Sequence, residues 1–475
     1  MSEKLQFSFK VGIIALGEPR SEVIEGQPFL KNMSEDGHKG LIGMITKAGY
    51  DVVDGGIIYS KPAAQNAARK CIAEGTRTCI IEVYAWTFPV FASEIGSILQ
   101  QSGVKPVILY GVGGLSGFLA SRGALDEIGV DTISLWEETP KRLLTVLRAA
   151  SCVSRIHGMT LGLIGGRSMG ITSASCDPAQ IKKVFGIDVD HVDQDDLRQR
   201  AISIDAARVS DLDAWLNRFL ARIEDDAIYS NPQTREKQER SYLALKDMVI
   251  EKGFDAIALK CQPELSDGYV NQCLGAMIIN DPYDHEGTKA PIPCSCEGDV
   301  NSAITMLILK ELSGGMPVFF GDVLVAQKRL NVFGVGNCGG AASWFSARNA
   351  EAGANLAQVI WGTQLQGKAG GGALGYLANP EPEVTWARLS RVDQQLAMFI
   401  IPCEIPGLDE KDAKKLTNQL GLMNSWPRVF LKPKVPIAEI LGIYNSQHAQ
   451  IVLGNITKEL EQACELWEIE SIVLD

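Results

Sequence analysis

An alternation limits what this chain can fold into. Short apolar runs recur along it, each separated from the next by a stretch of helical periodicity. VGIIAL (11–16), DVVDGGIIY (51–59), CIIEVYA (79–85) and PVILYG (106–111) have the length and composition of buried strands. Between them, AAQNAARKCIAEG (63–75) and FASEIGSILQQSG (91–103) read as helices that stop at Gly75 and Gly103. Apolar strands alternating with amphipathic helices imply parallel βαβ units and a sheet covered on both faces.

The pattern restarts at MTLGLIGG (159–166) and continues through FGIDVDHVD (185–193), FDAIALKC (254–261) and PIPCSCEGD (291–299). Helical stretches such as 210–225 and 235–253 separate these runs. After about residue 314 the character changes. Gly-rich pieces (334–340, 367–376) and short Pro-bounded strands (383–392, 395–405, 426–436) take over, and a helix is expected over 456–469. Short strands with turn punctuation suggest an antiparallel barrel or sandwich. The fold class read here is α/β: two doubly wound, flavodoxin-like parallel-sheet domains followed by a mostly antiparallel β-barrel-like domain. The expected boundaries are 1–155, 156–313 with Glu297, and 314–475 with Asp322 and His448.

A net charge of −12 argues against a general nucleic-acid binder, which needs a basic surface. No apolar run is long enough to span a membrane, and MSEKLQFSFK at the start lacks the apolar core of a secretory signal. The eleven cysteines show no zinc-ribbon spacing, and Cys79, Cys152 and Cys403 sit in apolar runs where thiols serve as small core residues. A reducing, cytoplasmic setting fits this usage best.

Chemistry is expected around CEGDVNSAITMLILKELSGG (296–315) and MPVFFGDV (316–323). Two apolar elements each end in a carboxylate, Glu297 and Asp322, where the sequence gives way to glycine. Acids among apolar residues need a cation, a proton or a donor to compensate them. Glu297 and Asp299 also stand before a helix, where acids commonly cap free amides, and Asp322 also suits a turn. One helix between two strands would bring Glu297 and Asp322 to one sheet edge, where a divalent cation would relieve their repulsion. Of the histidines, His448 stands before a strand-like run; His157 reads as a linker residue, and His191 and His285 as loop residues.

The blocks ALKCQPEL (258–265), CEGDVNSAITMLILKELSGG, MPVFFGDV and NSQHAQIVLGN (445–455 region), together with YAWTFPVF (84–91), resemble the L-fucose isomerase-like family of the L-fucose/L-arabinose isomerase superfamily. The resemblance runs through all three expected domains in order. It implies a divalent metal, usually Mn²⁺, held by Glu297, Asp322 and His448, and an aldose–ketose isomerisation of a monosaccharide. Gln262 would contact sugar hydroxyls, Gln447 would supply a polar contact beside the histidine, and Arg20 and Trp426 would reach the sugar's far end. The arabinose branch carries a further histidine where this chain has Asn337, which favours the fucose-type ligand set. Family members are generally homo-oligomers.

The implied reaction opens the sugar, polarises its carbonyl and moves a proton between C1 and C2 through an enediolate. Glu297 or Asp322 would be the base. Some relatives isomerise sulfonated sugars such as sulfoquinovose; an anionic sugar would call for Arg20, Arg167 or Lys260 near its charged end. A non-catalytic sugar-binding protein and a nicotinamide-dependent oxidoreductase are the competing classes. IGGRSMG (164–170) lacks the glycine fingerprint that the second would need.

Overall fold

The computed structural model describes residues 9–167, 169–226, 228–419 and 426–475. Residues 1–8 of the N-terminal stretch read for a leader lie outside them. The chain divides into two compact units, Ser2–Arg155 and Ile156–Asp475.

In the first unit, strands β1 (Lys10–Leu16), β2 (Asp51–Ile58), β3 (Thr78–Val83), β4 (Val107–Gly111) and β5 (Thr132–Trp136) form one parallel sheet in the order β2-β1-β3-β4-β5. This is the doubly wound order with the reversal beside β1. Every residue of β3 and β4 is buried, as a sheet covered on both faces demands. Helix Lys61–Ala73 starts where the Ser60 hydroxyl accepts from the Ala63 amide. It packs so closely on β1 that a Cβ at Gly12 would lie 2.9 Å from the Cys71 sulfur.

The second unit holds a parallel sheet of β6 (Thr160–Ile164), β7 (Asp188–Val192), β9 (Ala256–Leu259) and β12 (Cys294–Ser295), in the order β12-β9-β6-β7. Helix Val300–Leu312 follows β12 and is buried along nearly its whole length. The helical reading of 210–225 is shortened to Ala206–Phe219. The chain then extends so that β8 (Arg222–Ile223) can pair in parallel with β15 (Ile360–Thr363), which also pairs with β16 (Gly372–Gly375). A hairpin, β10 (Tyr283–Asp284) and β11 (Gly287–Thr288), carries His285 in its turn.

The C-terminal sheet contains β13 (Phe319–Gln327), β14 (Val332–Gly336), β17 (Glu381–Val392), β18 (Gln395–Ile405), β19 (Arg428–Pro433), β20 (His448–Leu453) and β21 (Glu470–Val473). It is antiparallel except where β21 joins β18. Pairing runs β17-β20-β13-β14-β19-β18, and β18 pairs again with β17. Asp322 departs from its expected place. It lies inside β13 rather than beyond a strand end, because Gly321 does not break the strand. A Cβ at Gly321 would lie 2.7 Å from the Val335 side chain, so the glycine serves the close approach of β14. Asp322 therefore lies in a different sheet from β12, the strand that precedes Glu297. Among the described residues no helix is long and apolar enough to cross a membrane.

Candidate metal centre and active site

Glu297 follows β12 in a turn that the backbone must make at some expense. Its φ is +61° and that of Gly298 is +66°. The left-handed conformation is natural for glycine but costs a glutamate on the order of 1 kcal/mol. The turn lets Asp299 cap helix Val300–Leu312: its carboxylate accepts from the Ser302 amide at 2.9 Å and the Ser302 hydroxyl at 2.7 Å.

Asp322 and His448 are directly opposed across the antiparallel pair β13–β20, which puts both side chains on one sheet face. Glu297 arrives at that face from the helix side. One donor atom from each of Glu297, Asp322 and His448 lies within 4.8 Å of the others. His448 is fully buried, and its Nε2 stands 3.2 Å from a Glu297 oxygen and 3.3 Å from an Asp322 oxygen. It makes a hydrogen bond to neither and has no other partner among the described residues. The Phe320 ring, 4.8 Å away, walls the imidazole.

The other imidazole nitrogen is committed. Nδ1 lies 2.6 Å from Asp299, and because an ionised carboxylate only accepts, Nδ1 carries the proton of that bond. Asp299 is wholly buried, and so is its counter-ion, Arg388, whose Nη1 donates to the same carboxylate at 2.7 Å. Burial alone would push the Asp299 carboxyl up, but Arg388 and then His448 hold it well below the usual carboxylate range. Burial disfavours a charged His448; Asp299, Asp322 and Glu297 outweigh it and raise the imidazole well above its ordinary value. Nε2 is thus a nitrogen for which a proton and a cation compete. With Asp299 cancelled by Arg388, Glu297 and Asp322 face a nitrogen that becomes a neutral donor only when a cation takes the place of its proton. Charge and donor types both fit a divalent ion of the Mn²⁺ or Zn²⁺ kind. Asn337 donates to Asp322 Oδ2 at 2.9 Å while its own oxygen accepts from the Gly339 and Gly340 amides, which fixes the Asp322 carboxylate.

Of two cavities in this unit, one reaches the centre through Glu297 and the other is lined by none of its three residues. One, of about 560 Å³, is lined by Glu297, Gly298, Gly165, Arg167, Cys176 and His191. His191 lies on β7 rather than in a loop, and Arg167 donates to Glu264 at 2.9 Å. Lys260, also paired with Glu264, is buried and engaged. The other, of about 370 Å³, is lined by Gln262, Cys261, Cys273, Cys296 and Cys338 among others. There Gln262 donates to Gln366 at 2.8 Å. Trp426 packs in a buried cluster with Cys273, Cys338 and Ala373. Gln447 is half-buried, and its carbonyl accepts from the Val323 amide. Arg20 lies in the first unit, where it grips Glu18 through Nε and Nη2.

Two side chains packed against the candidate centre were not legible as part of it. Asp299 reads as a helix cap, and it is one, but its second oxygen serves His448. Arg388 stands in EVTWARLSRV, where alternation gives no cue that a guanidinium is buried. The one available signal was a charged residue inside a strand whose neighbours Trp386, Ala387 and Leu389 are all apolar.

Residues 335–474 match the family model described as the L-fucose isomerase C-terminal domain. A sulfoquinovose isomerase of Alkalicoccus urumqiensis is 22% identical over 338 residues, 70% of this chain and 69% of the relative. One from Clostridium sp. (strain MSTE9) is 22% identical over 375 residues, 76% of each. An L-fucose isomerase of Escherichia coli O1:K1 / APEC is 25% identical over 216 residues, 40% of this chain and 36% of the relative. With relatives of this kind, the protein is an enzyme of the aldose–ketose isomerase class. More closely, the chain is similar to the L-fucose isomerase-like family, whose C-terminal domain model its residues 335–474 match.

Proposed function

We propose that the protein is a metal-dependent isomerase that interconverts an aldose and a ketose at the centre formed by Glu297, Asp322 and His448. The observation that carries this reading is the buried His448 Nε2, which makes no hydrogen bond and stands between two carboxylates. A bound divalent cation, Mn²⁺ by family resemblance, would supply positive charge for the two sugar oxygens on which negative charge develops. Glu297 and Asp322 are the bases within reach of that position. One removes the proton on C2 of the open-chain sugar to give an enediolate; the other carries the hydroxyl proton from O2 to O1, and return of the first proton to C1 gives the ketose. The burial of His448, Asp299 and Arg388 keeps water from the back of the centre and holds the acids in place before substrate arrives.

Gln262 and Gln447 are proposed to bind sugar hydroxyls, and Trp426 to bound its far end. We further propose three functional segments, 1–155, 156–313 and 314–475, with the ring of C-terminal strand pairings acting as the barrel that seats Asp322 and His448. A cytoplasmic homo-oligomer is the setting proposed for it.

A second reading names the sugar: a sulfonated aldose such as sulfoquinovose. It is favoured by the broad coverage of the two sulfoquinovose isomerases and by Arg167 and His191 in the cavity that meets Glu297. The deciding experiment assays purified protein against a panel of aldoses, one of them sulfonated, for ketose formation with and without Mn²⁺, alongside bound-metal analysis. Turnover of one aldose that disappears on chelation and returns with Mn²⁺ is expected. Turnover that survives complete metal removal would sink the metal-dependent mechanism.

A further inference from the structure

The structure assigns Asp299 and Arg388 a joint role as positioning residues: together they fix the His448 tautomer that leaves Nε2 open, and they seat the turn that walls the cavity beside Glu297. This inference rests on the metal-centre reading above and deepens it.

The tautomer follows from the donors and acceptors. Asp299 accepts from His448 Nδ1 at 2.6 Å, and with Nδ1 protonated a neutral imidazole has its lone pair on Nε2. Reversed, the ring would aim an N–H at the point where Glu297 and Asp322 converge. Asp299 can act so only while ionised in a place without water, and Arg388 makes that tenable. Both side chains are wholly buried, and Arg388 Nη1 donates to Asp299 Oδ2 and to the Ser302 hydroxyl. An unpaired carboxylate there would be strongly disfavoured.

The other arm of Arg388 leaves the centre. Its Nη2 donates to the Ser173 carbonyl at 2.6 Å, and Asn301 Nδ2 donates to that carbonyl at 2.9 Å. Arg391, on the same strand, donates to the Thr172 carbonyl at 2.9 Å. Ala174 and Ser175, in and after that turn, line the cavity that Glu297 enters. One guanidinium therefore ties the orientation of a metal ligand to the shape of the adjoining cavity. A lysine cannot reproduce this, because its ammonium is a single point rather than a two-armed planar fork.

The test uses full-length protein and Mn²⁺ affinity measured by calorimetry, with the visible spectrum of the Co²⁺-substituted enzyme as a second readout. In Asp299→Asn the side-chain NH₂ would face His448 Nδ1 and force the proton onto Nε2. The change resembles the isosteric Asp-to-Asn swap in serine-protease triads, which spoils catalysis through the wrong tautomer. Mn²⁺ affinity is expected to fall about 10- to 100-fold, the range for a lost carboxylate behind a metal-bound histidine, and the Co²⁺ spectrum is expected to change. Arg388→Lys is expected to retain part of the affinity and to raise KM more than it lowers kcat, because the Ser173 anchor is lost. Wild-type affinity with an unchanged Co²⁺ spectrum in folded Asp299→Asn overturns the inference alone. If that variant does not fold, unaltered affinity and KM in Arg388→Lys overturn it. A wild-type protein that binds neither Mn²⁺ nor Co²⁺ overturns the inference and the metal-centre reading together.

Discussion

Two buried histidines, one in each unit, are surrounded by carboxylates and yet serve opposite ends. His38, on helix Phe29–Lys47, has both ring nitrogens engaged: Nδ1 with the wholly buried Glu82, and Nε2 with Asp54 at 2.8 Å. Glu82 in turn accepts from the Tyr84 hydroxyl. Every polar atom of that imidazole is satisfied, and it ties a helix to β2 and β3. His448 has one nitrogen satisfied and the other facing two acids without a hydrogen bond. The acids at His38 serve the protein's own hydrogen bonds, whereas Glu297 and Asp322 converge on a point that no described residue fills. Counting carboxylates near a histidine therefore does not separate a latch from a ligand. Counting the unsatisfied nitrogen does.

The largest single effect expected from that contrast belongs to Glu297→Gln. The amide keeps the shape but removes both a base and a negative charge. Turnover is expected to fall at least about 1,000-fold, within the range for losing a positioned acid–base group, and metal content should fall with it. Full turnover with unchanged metal content would remove Glu297 from the mechanism. A matched pair of substitutions sharpens the comparison further. His448→Gln should lower Mn²⁺ affinity by more than about 100-fold, since losing a ligand exceeds losing the group behind it. His38→Gln should leave Mn²⁺ affinity within about twofold of wild type, because additivity holds for sites with no shared partner. Comparable losses in both variants would erase the distinction between latch and ligand.

The same contrast shows where sequence was informative. The parallel sheets were legible because buried strands are short, apolar and punctuated by glycine, a local property of residues such as Val11–Leu16 and Cys79–Val83. Glu297, Asp322 and His448 were legible through the resemblance and through carboxylates standing in apolar surroundings. How they converge was not. Asp322 was expected at the edge of the sheet that holds β12, but it sits in the middle of β13 because Gly321 answers to β14, a partner remote in sequence. Asp299 and Arg388 escaped for a related reason. A cap and a strand residue each have an adequate local explanation, and only the fold brings them within 2.7 Å. His38 carried no signal, since its partners Asp54 and Glu82 lie on two other elements.

The smallest predicted effect concerns that latch and depends on pH. Burial lowers the affinity of His38 for a proton, but Glu82 and Asp54 outweigh it, so its folded-state value is raised above the ordinary 6.5. A raised value means that the folded state binds the proton more tightly than the unfolded chain does. The resulting stabilisation is fully present below about pH 6.5 and is lost as pH climbs through the folded value. His38→Gln offers donors from only one nitrogen and cannot bridge Glu82 and Asp54 at once. The Glu82 arm, fully buried, should account for nearly all the loss; Asp54 is more than half exposed, and solvent screens its share. Unfolding in denaturant should show the variant less stable by about 1.5–3 kcal/mol at pH 5.5, the range for a hydrogen bond to a charged group. The gap should narrow as the pH is raised toward 9. A gap that stays constant across that range would mean that His38 is held by shape alone and that its two acids contribute no charge to the latch.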